Sequence, residues 1–309
     1  MEHPKEEKRI DSYIRTSEGL RLEKPSLKEL CQRYNIRFKK RLGQNLLLDD
    51  NIHRIMVESS YLSRDDAVIE VGAGLGALTW HLVQHAGQVL AVEIDPSFIP
   101  CLQDRFGHLP YVKLFRGDIL NHKLEELVRE FIPDAQHYKM LSNLPYYITT
   151  PILFQFLESA VNFELIVIMV QYEVGLRMSA RFGTKDYGVL SLAVQSLYHV
   201  DLVHSVPRTC FIPRPEVDSC IVRLRKIVPP LMSEDKRKKV LRIVHSAFSQ
   251  RRKSLKNALS KSPLLHYSPA QVLSALQDTG IDPSSRAETL TWQDFVLLTE
   301  ALEKIEPKP

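Results

Sequence analysis

Ten residues constrain this chain more than any others. Val68-Ile69-Glu70-Val71 is an apolar, β-rich run, Gly72-Ala73-Gly74-Leu75-Gly76 is a glycine turn, and Ala77 opens a helical pattern. A strand that enters a glycine turn and then a helix lets a ligand approach the backbone closely and leaves unpaired amide donors at the helix N-terminus. Glu93 follows Gly72 by 21 positions, at the end of the next apolar run. A carboxylate there can accept both hydroxyls of a ribose. The pattern asks for a nucleoside-containing cofactor without saying which, because G-x-G-x-x-A followed by an acidic residue about 20 positions on is also the fingerprint of nicotinamide dinucleotide enzymes.

The surroundings of this motif set the fold class. Short apolar runs at Ala67–Val71, Val89–Glu93, Val112–Phe115, Lys139–Ser142 and Leu165–Val170 alternate with helical patterns, and two later runs lie near Leu202–Val206 and Val217–Leu224. That alternation predicts an α/β fold, a mostly parallel sheet with helices on both faces. Leu27, Leu30 and Tyr34 give one short amphipathic helix able to cap the next domain. After Pro229-Pro230 the pattern is purely helical, so the boundaries expected are an N-terminal extension over 1–36, a cofactor-binding domain over 37–228 and a small all-α domain over 229–309. Within the last, Val240, Val244, Phe248, Leu255 and Leu259 fall on one helix face, with Lys238, Lys239, Arg242, Lys253 and Lys256 opposite.

Composition excludes several classes. At 44% hydrophobic and 25% charged residues, the 309-residue chain reads as a folded, water-soluble protein. No apolar stretch of about 18 residues is available for a membrane span, and the first ten residues mix Glu2, Glu6 and Glu7 with Lys and Arg, unlike a leader peptide. Cys31, Cys101, Cys210 and Cys220 have no Cys-x-x-Cys spacing, which signals neither zinc nor a disulfide framework and fits a cytoplasmic location. His81 and His85 have the spacing of a metal pair, but Leu82 stands where H-E-x-x-H has glutamate, so no metal is expected. The net charge of +4 is modest, yet Lys and Arg concentrate at Arg37–Arg41 and again between Lys236 and Lys256, where nine basic residues occur without an acidic one. Such runs are commonly solvated faces; Phe38 and Phe182 could be stacking residues, but core packing is the reading preferred for a lone phenylalanine.

Two further motifs bear on the cofactor. Arg116-Gly117-Asp118 closes the third predicted strand, where a carboxylate can accept a hydrogen bond from an adenine amine. Ser142-Asn143-Leu144-Pro145-Tyr146-Tyr147 ends the fourth, at the region where strand order reverses. An adenine amine is a poor nucleophile while its lone pair is delocalised into the ring, and acceptors that hold its N–H groups favour the pyramidal form. The Asn143 side-chain oxygen and the Leu144 carbonyl can be those acceptors, with Pro145 fixing the backbone that aims them. Tyr146 can stack on an extruded base. Hydride transfer needs none of this.

At these residues the chain closely resembles the ribosomal RNA adenine dimethyltransferases of the type that acts on two adjacent adenines near the end of small-subunit (16S) RNA. The likeness runs over residues 37 to 300, through Arg41-Leu42-Gly43-Gln44-Asn45-Leu46-Leu47, the glycine loop, Asp118, Asn143-Leu144-Pro145-Tyr146, Met169-Val170-Gln171-Tyr172-Glu173-Val174, Phe211-Ile212-Pro213-Arg214-Pro215-Glu216-Val217-Asp218-Ser219 and Ala247-Phe248-Ser249-Gln250-Arg251-Arg252-Lys253. It implies a Rossmann-like class I methyltransferase fold and an S-adenosylmethionine site lined by Asn45, Leu47, Gly72, Gly74, Glu93, Asp118 and Asn143, with the Gln44-Asn45 segment folded over the cofactor. The implied partner is 16S RNA in an immature small subunit, met by a monomer through Arg37, Lys39, Lys40, Arg41, Arg251, Arg252 and Lys253. Enzymes that modify one adenine of large-subunit RNA share most motifs but tend to show Ser-Gln-Asn and Asn-Ile-Pro-Tyr; Gly43 and Leu144 here point to the small-subunit type. Tyr147 departs from the Asn of many members. A non-catalytic assembly factor on the same fold is the remaining alternative.

Overall fold

A computed structural model describes residues 13–15, 21–39 and 42–305. The strands are β1 (Tyr13–Arg15), β2 (Arg21–Glu23), β3 (Leu46–Leu47), β4 (Asp66–Val71), β5 (Gln88–Glu93), β6 (Val112–Arg116), β7 (His137–Asn143), β8 (Phe163–Gln171), β9 (Tyr198–Val206), β10 (Phe211–Ile212) and β11 (Ser219–Lys226). Helices α1 (Leu27–Arg33), α2 (Asp50–Glu58), α3 (Ala77–His85), α4 (Ile99–Phe106), α5 (Leu124–Phe131) and α6 (Thr149–Glu158) precede or separate the sheet strands up to β8. The remainder are α7 (Tyr172–Ser179), α8 (Val189–Gln195), α9 (Glu234–Phe248), α10 (Leu255–Ser260), α11 (Pro269–Asp278) and α12 (Trp292–Glu303).

Seven strands form one sheet in the order β6-β5-β4-β7-β8-β11-β9, and the pairs from β6 to β8 are parallel. Every residue of β4 is buried, as a strand covered on both faces must be. From β4 the chain runs outward through β5 and β6, then returns to β7 on the opposite side. The order therefore reverses between β4 and β7, and a crevice opens beyond their carboxyl ends. In this register Ile69 lies beside Met140, which brings Gly72 and Asn143 to the same edge. At the other end of the two strands, Lys139 Nζ meets the buried Asp66 carboxylate at 2.9 Å.

Two compact units divide the chain, Met1–Gln171 with Val203–Arg223, and Tyr172–Leu202 with Leu224–Pro309. The core of the first packs α2, α3 and α4 on one sheet face through Met56, Leu82, Phe106, Val89, Leu141 and Val167. The amphipathic segment near Leu27 is indeed a helix. Ser26 caps it in a reciprocal box with Glu29, and Leu30 is buried against Leu75, Phe98 and Cys101, so α1 packs beside the glycine loop.

The second unit has its own core, in which Tyr187 and Leu192 join Val240, Val244, Leu276 and Phe295. Residues Tyr172–Leu202 thus pack with the C-terminal helices, a grouping that the Pro229-Pro230 pair does not signal. The single helix face read over Val240 to Leu259 is in fact two helices. Ser254 is extended (ψ 155°), and the Leu255 amide bonds to the Ser285 carbonyl instead of to the preceding turn. The apolar spacing survives the break because both helices face the same core.

Gly76 shows how tightly the start of α3 is set against α4. It adopts φ +77°, and a Cβ there would lie 2.3 Å from the Phe106 ring. Gly76→Ala combines left-handed strain with an overpacked contact, and should cost about 2–4 kcal/mol. Chemical denaturation would measure it, and a loss under about 0.5 kcal/mol, the usual range for a neutral surface change, would contradict the packing described.

Candidate active site

A cavity of about 90 Å³ lies at the carboxyl edge of β4, β5 and β7. Its wall gathers Asn45, Leu47, Gly72, Gly74, Glu93, Asn143, Leu144, Pro145 and Tyr146, which the sequence scatters over a hundred positions. The glycine loop is held to β5 by Glu93. Its Oε2 accepts from the Gly74 amide at 2.7 Å and its Oε1 from the Asp95 amide at 2.7 Å. Burial pushes the Glu93 carboxyl above its usual range. The Ser142 hydroxyl donates to the Val71 carbonyl, tying the end of β7 to the start of the same loop.

Beyond Asn143, the turn is built to stay in one place. Pro145 presents its carbonyl to the Thr149 hydroxyl at 3.0 Å, and Leu144 is buried, its amide bonded to the Met169 carbonyl. Tyr146 shares a hydrogen bond with Ser219 and meets Phe211 edge-on, with centroids 6.5 Å apart. Phe211 in turn pairs with Leu47 through the short antiparallel ribbon of β3 and β10.

The segment before β3 is fastened from below. Asp95 is fully buried and accepts from Lys39 Nζ at 2.6 Å and Gln44 Nε2 at 2.6 Å, while the Gln44 Oε1 accepts the Lys39 amide. Burial opposes ionisation of Asp95, but the Lys39 ammonium with the Ser97 and Gln44 donors outweighs it and holds the carboxyl at about 2. From above, the half-exposed Tyr147 ring covers Gly43, where φ is +55° and a Cβ would come within 3.0 Å of the ring.

Asp95 and Glu70 are functional candidates that sequence reading missed. Glu70 lines the cavity, is buried, and accepts from Thr79 Oγ1 at 2.6 Å. Burial, reinforced by the charge of Glu93, pushes it up to about 8 despite that hydrogen bond. Its signal in the sequence is a carboxylate two positions before Gly72 in an otherwise apolar strand.

Other expected residues are placed differently. Asp118 is not among the cavity-lining residues; its carboxylate accepts the Leu120 amide at 3.0 Å, although the adjacent Gly117 amide bonds to the Glu93 carbonyl. Lys39 spends its charge on Asp95, while Arg37 is exposed; Lys40 and Arg41 lie outside the described residues. Arg251, Arg252 and Lys253 are exposed in the turn between α9 and α10. His85 stands apart from a cluster in which Asp50, His53 and His81 bring donor atoms within 4.8 Å of one another, and where Lys24 already neutralises Asp50 at 2.5 Å.

Comparison with known proteins decides between the cofactor classes that the glycine loop leaves open. A family model for ribosomal RNA adenine dimethylase matches residues 35–304. The ribosomal RNA small subunit methyltransferase A of Clostridium perfringens is 42% identical over 278 residues, covering 90% of this chain and 95% of its own. The chain belongs to the ribosomal RNA adenine dimethylase family. Among solved structures, a dimethyladenosine transferase from Plasmodium falciparum shares the fold of this family member at a TM-score of 0.70, with 23% identity and coverage of 84% and 98%. The 23S rRNA methyltransferase ErmE aligns at a TM-score of 0.62, with 26% identity and coverage of 84% and 99%. The sheet with its C-terminal helices is thus a class I methyltransferase fold, and no helix among the described residues is long and apolar enough to cross a membrane.

Glu70 gives this adenine dimethylase family member a titration that can be read without substrate. A carboxyl whose folded pKa is about 8 against an ordinary 4.5 binds more protons folded than unfolded, so its contribution to stability is complete below about 4.5 and is lost as pH rises towards about 8. Melting temperature should fall across that interval, and Glu70→Gln should flatten the fall. Equal slopes for the two proteins would show that Glu70 is not the group responsible.

Proposed function

We propose that this protein uses S-adenosylmethionine to dimethylate the exocyclic amines of two adjacent adenines near the 3′ end of 16S ribosomal RNA in an immature small subunit, acting in the cytoplasm as a monomer. One observation carries the reading: the Asn143–Tyr146 turn and the Gly72–Leu75 loop are walls of the same cavity, which Glu93 also lines. The residues suit the cofactor. A Cβ at Gly72 would stand 3.4 Å from Pro145, and one at Gly74 would stand 3.4 Å from Leu46, so side chains there would fill the space that a nucleoside and an amino-acid tail need.

When bound, S-adenosylmethionine supplies an electrophilic methyl group on sulfur. The chain's residues do the rest. Glu93 receives the ribose hydroxyls at the end of β5, and the glycine loop lets the ligand lie against the backbone. Asn45 and Leu47 form the cover. The Asn143 oxygen and the Leu144 carbonyl accept the two N–H groups of the target amine, which frees its lone pair for in-line attack. Pro145 holds those acceptors in place, and the Tyr146 ring, backed edge-on by Phe211, offers a face for the extruded base.

Alkylation acidifies the amine, so the displaced proton can pass to water without a dedicated base, and the chemistry asks for no metal ion. A pocket that serves dimethylation must admit the monomethylated amine in a second round. Arg37, Lys40, Arg41, Arg251, Arg252 and Lys253 would hold phosphates of the RNA. Lys39 is bound to Asp95 and is better assigned to the cover.

The deciding experiment incubates the protein and labelled S-adenosylmethionine with immature small subunits, naked 16S RNA and large-subunit RNA. Label is expected in small-subunit material. Label in large-subunit RNA alone would favour the single-adenine class, and transfer to none by protein that binds the cofactor would favour a non-catalytic assembly factor. Asn143→Ala should lower turnover about 100-fold or more with an unchanged melting temperature, as removal of one positioned polar partner at a reacting centre does. Unimpaired turnover would refute its role.

A further inference from the structure

Phe182 contradicts its expected place in a core: it is 58% exposed. It stands in the connection from α7 to α8, and that connection is firmly built. The Gly183 amide donates to the Glu288 carbonyl at 2.7 Å, the Thr184 hydroxyl to the Arg181 carbonyl at 2.7 Å, and the Tyr187 amide to the Thr184 carbonyl. Gly183 takes φ +80°, so the backbone turns sharply and presents the phenylalanine outward.

The ring borders a hollow of about 330 Å³ that also includes Arg181, Leu231 and Trp292, with Leu231 itself 55% exposed. The basic turn after α9 is braced against the same connection. Arg251 Nη2 donates to the Lys185 carbonyl at 2.7 Å and to the Tyr187 carbonyl at 3.1 Å, and lies 3.8 Å from Glu288. Arg252 and Lys253 beside it are exposed, as are Arg181 and Lys185. Arg181 is the cation of the hollow's lining, and along the connection and the turn braced on it the exposed Arg181, Lys185, Arg252 and Lys253 outnumber Asp186 and Glu288.

We propose that Phe182 and its hollow form a stacking platform for an unpaired nucleotide of the RNA substrate, with Arg181, Lys185, Arg252 and Lys253 holding the flanking phosphates. The proposal rests on the chain being an RNA-modifying enzyme and adds a second place where it grips the RNA, in the unit that lacks the methyl-transfer cavity. An exposed aromatic ring with Arg181 beside it and further cations on its own and the adjoining turn matches single-stranded RNA, because only there is a base face free to stack; in a duplex each face is covered by the next pair. A nucleotide brings in one molecule both the flat face for the ring and the phosphates for the cations.

The test measures binding of the full chain to a labelled single-stranded RNA from the 3′ region of 16S RNA and to the same sequence fully paired. Phe182→Ala should weaken single-strand binding about five- to hundredfold and leave duplex binding within about twofold, and Phe182→Trp should restore it. In methyl-transfer assays Phe182→Ala should raise KM for RNA while kcat and cofactor affinity stay as in the parent. Unchanged single-strand affinity would overturn the proposal, as would equal losses for both RNAs, or Phe182-dependent capture of a ribosomal protein with RNA binding unaffected. The binding arm needs no methyl transfer, so a parent protein that binds RNA through Phe182 yet methylates nothing would sink the functional reading and keep this one.

Discussion

The carboxylate of Glu93 holds two backbone amides at once, and the cavity is arranged around it. One amide belongs to Gly74 in the glycine loop and the other to Asp95, two residues further along its own chain. Charge-assisted bonds of this kind stabilise by roughly 1.5–3 kcal/mol each. They set the distance between the loop that follows β4 and the edge that follows β5. Asp95, placed by the second of them, anchors Lys39 and Gln44 and with them the cover. A single side chain thus relates the floor of the site to its roof.

Three carboxylates share this small region and their proton affinities diverge. Glu70 and Glu93 are raised because burial outweighs the donors and charges around them, whereas Asp95 is lowered because burial is overcome by Lys39 and the donors beside it. The contrast keeps negative charge where the cover needs an anchor. Glu70 instead lies neutral behind the glycines at neutral pH, so the interior wall of the cavity carries less charge than its composition implies.

Much of this was legible in the sequence, for reasons that can be named. Strands buried on both faces read as apolar runs, which is why β4, β5 and β8 stood out, and the glycine loop and the Asn143 turn carry residue types that ordinary packing does not call for. Asp95 was not legible because its meaning depends on Lys39 and Gln44, more than fifty positions earlier. The break between α9 and α10 was hidden by an apolar spacing that continues through it. Phe182 was noticed but its exposure was not legible: a phenylalanine is usually interior, and nothing local marks a turn braced by Glu288 and Arg251. For Asp118 the place at a strand end was legible, whereas the bond its carboxylate makes to the Leu120 amide of its own turn was not.

The ribbon of β3 and β10 joins Leu47 to Phe211, residues separated by more than half of the polypeptide. A chain emerging from its own ribosome would therefore display the glycine loop long before the roof over it could close. Until the segment carrying Phe211 leaves the exit tunnel, Leu46 and Leu47 lack their partner and Tyr146 lacks its backing ring. Competence to hold a ligand would thus arrive late in synthesis and abruptly, at the moment when both ends of the first unit exist together.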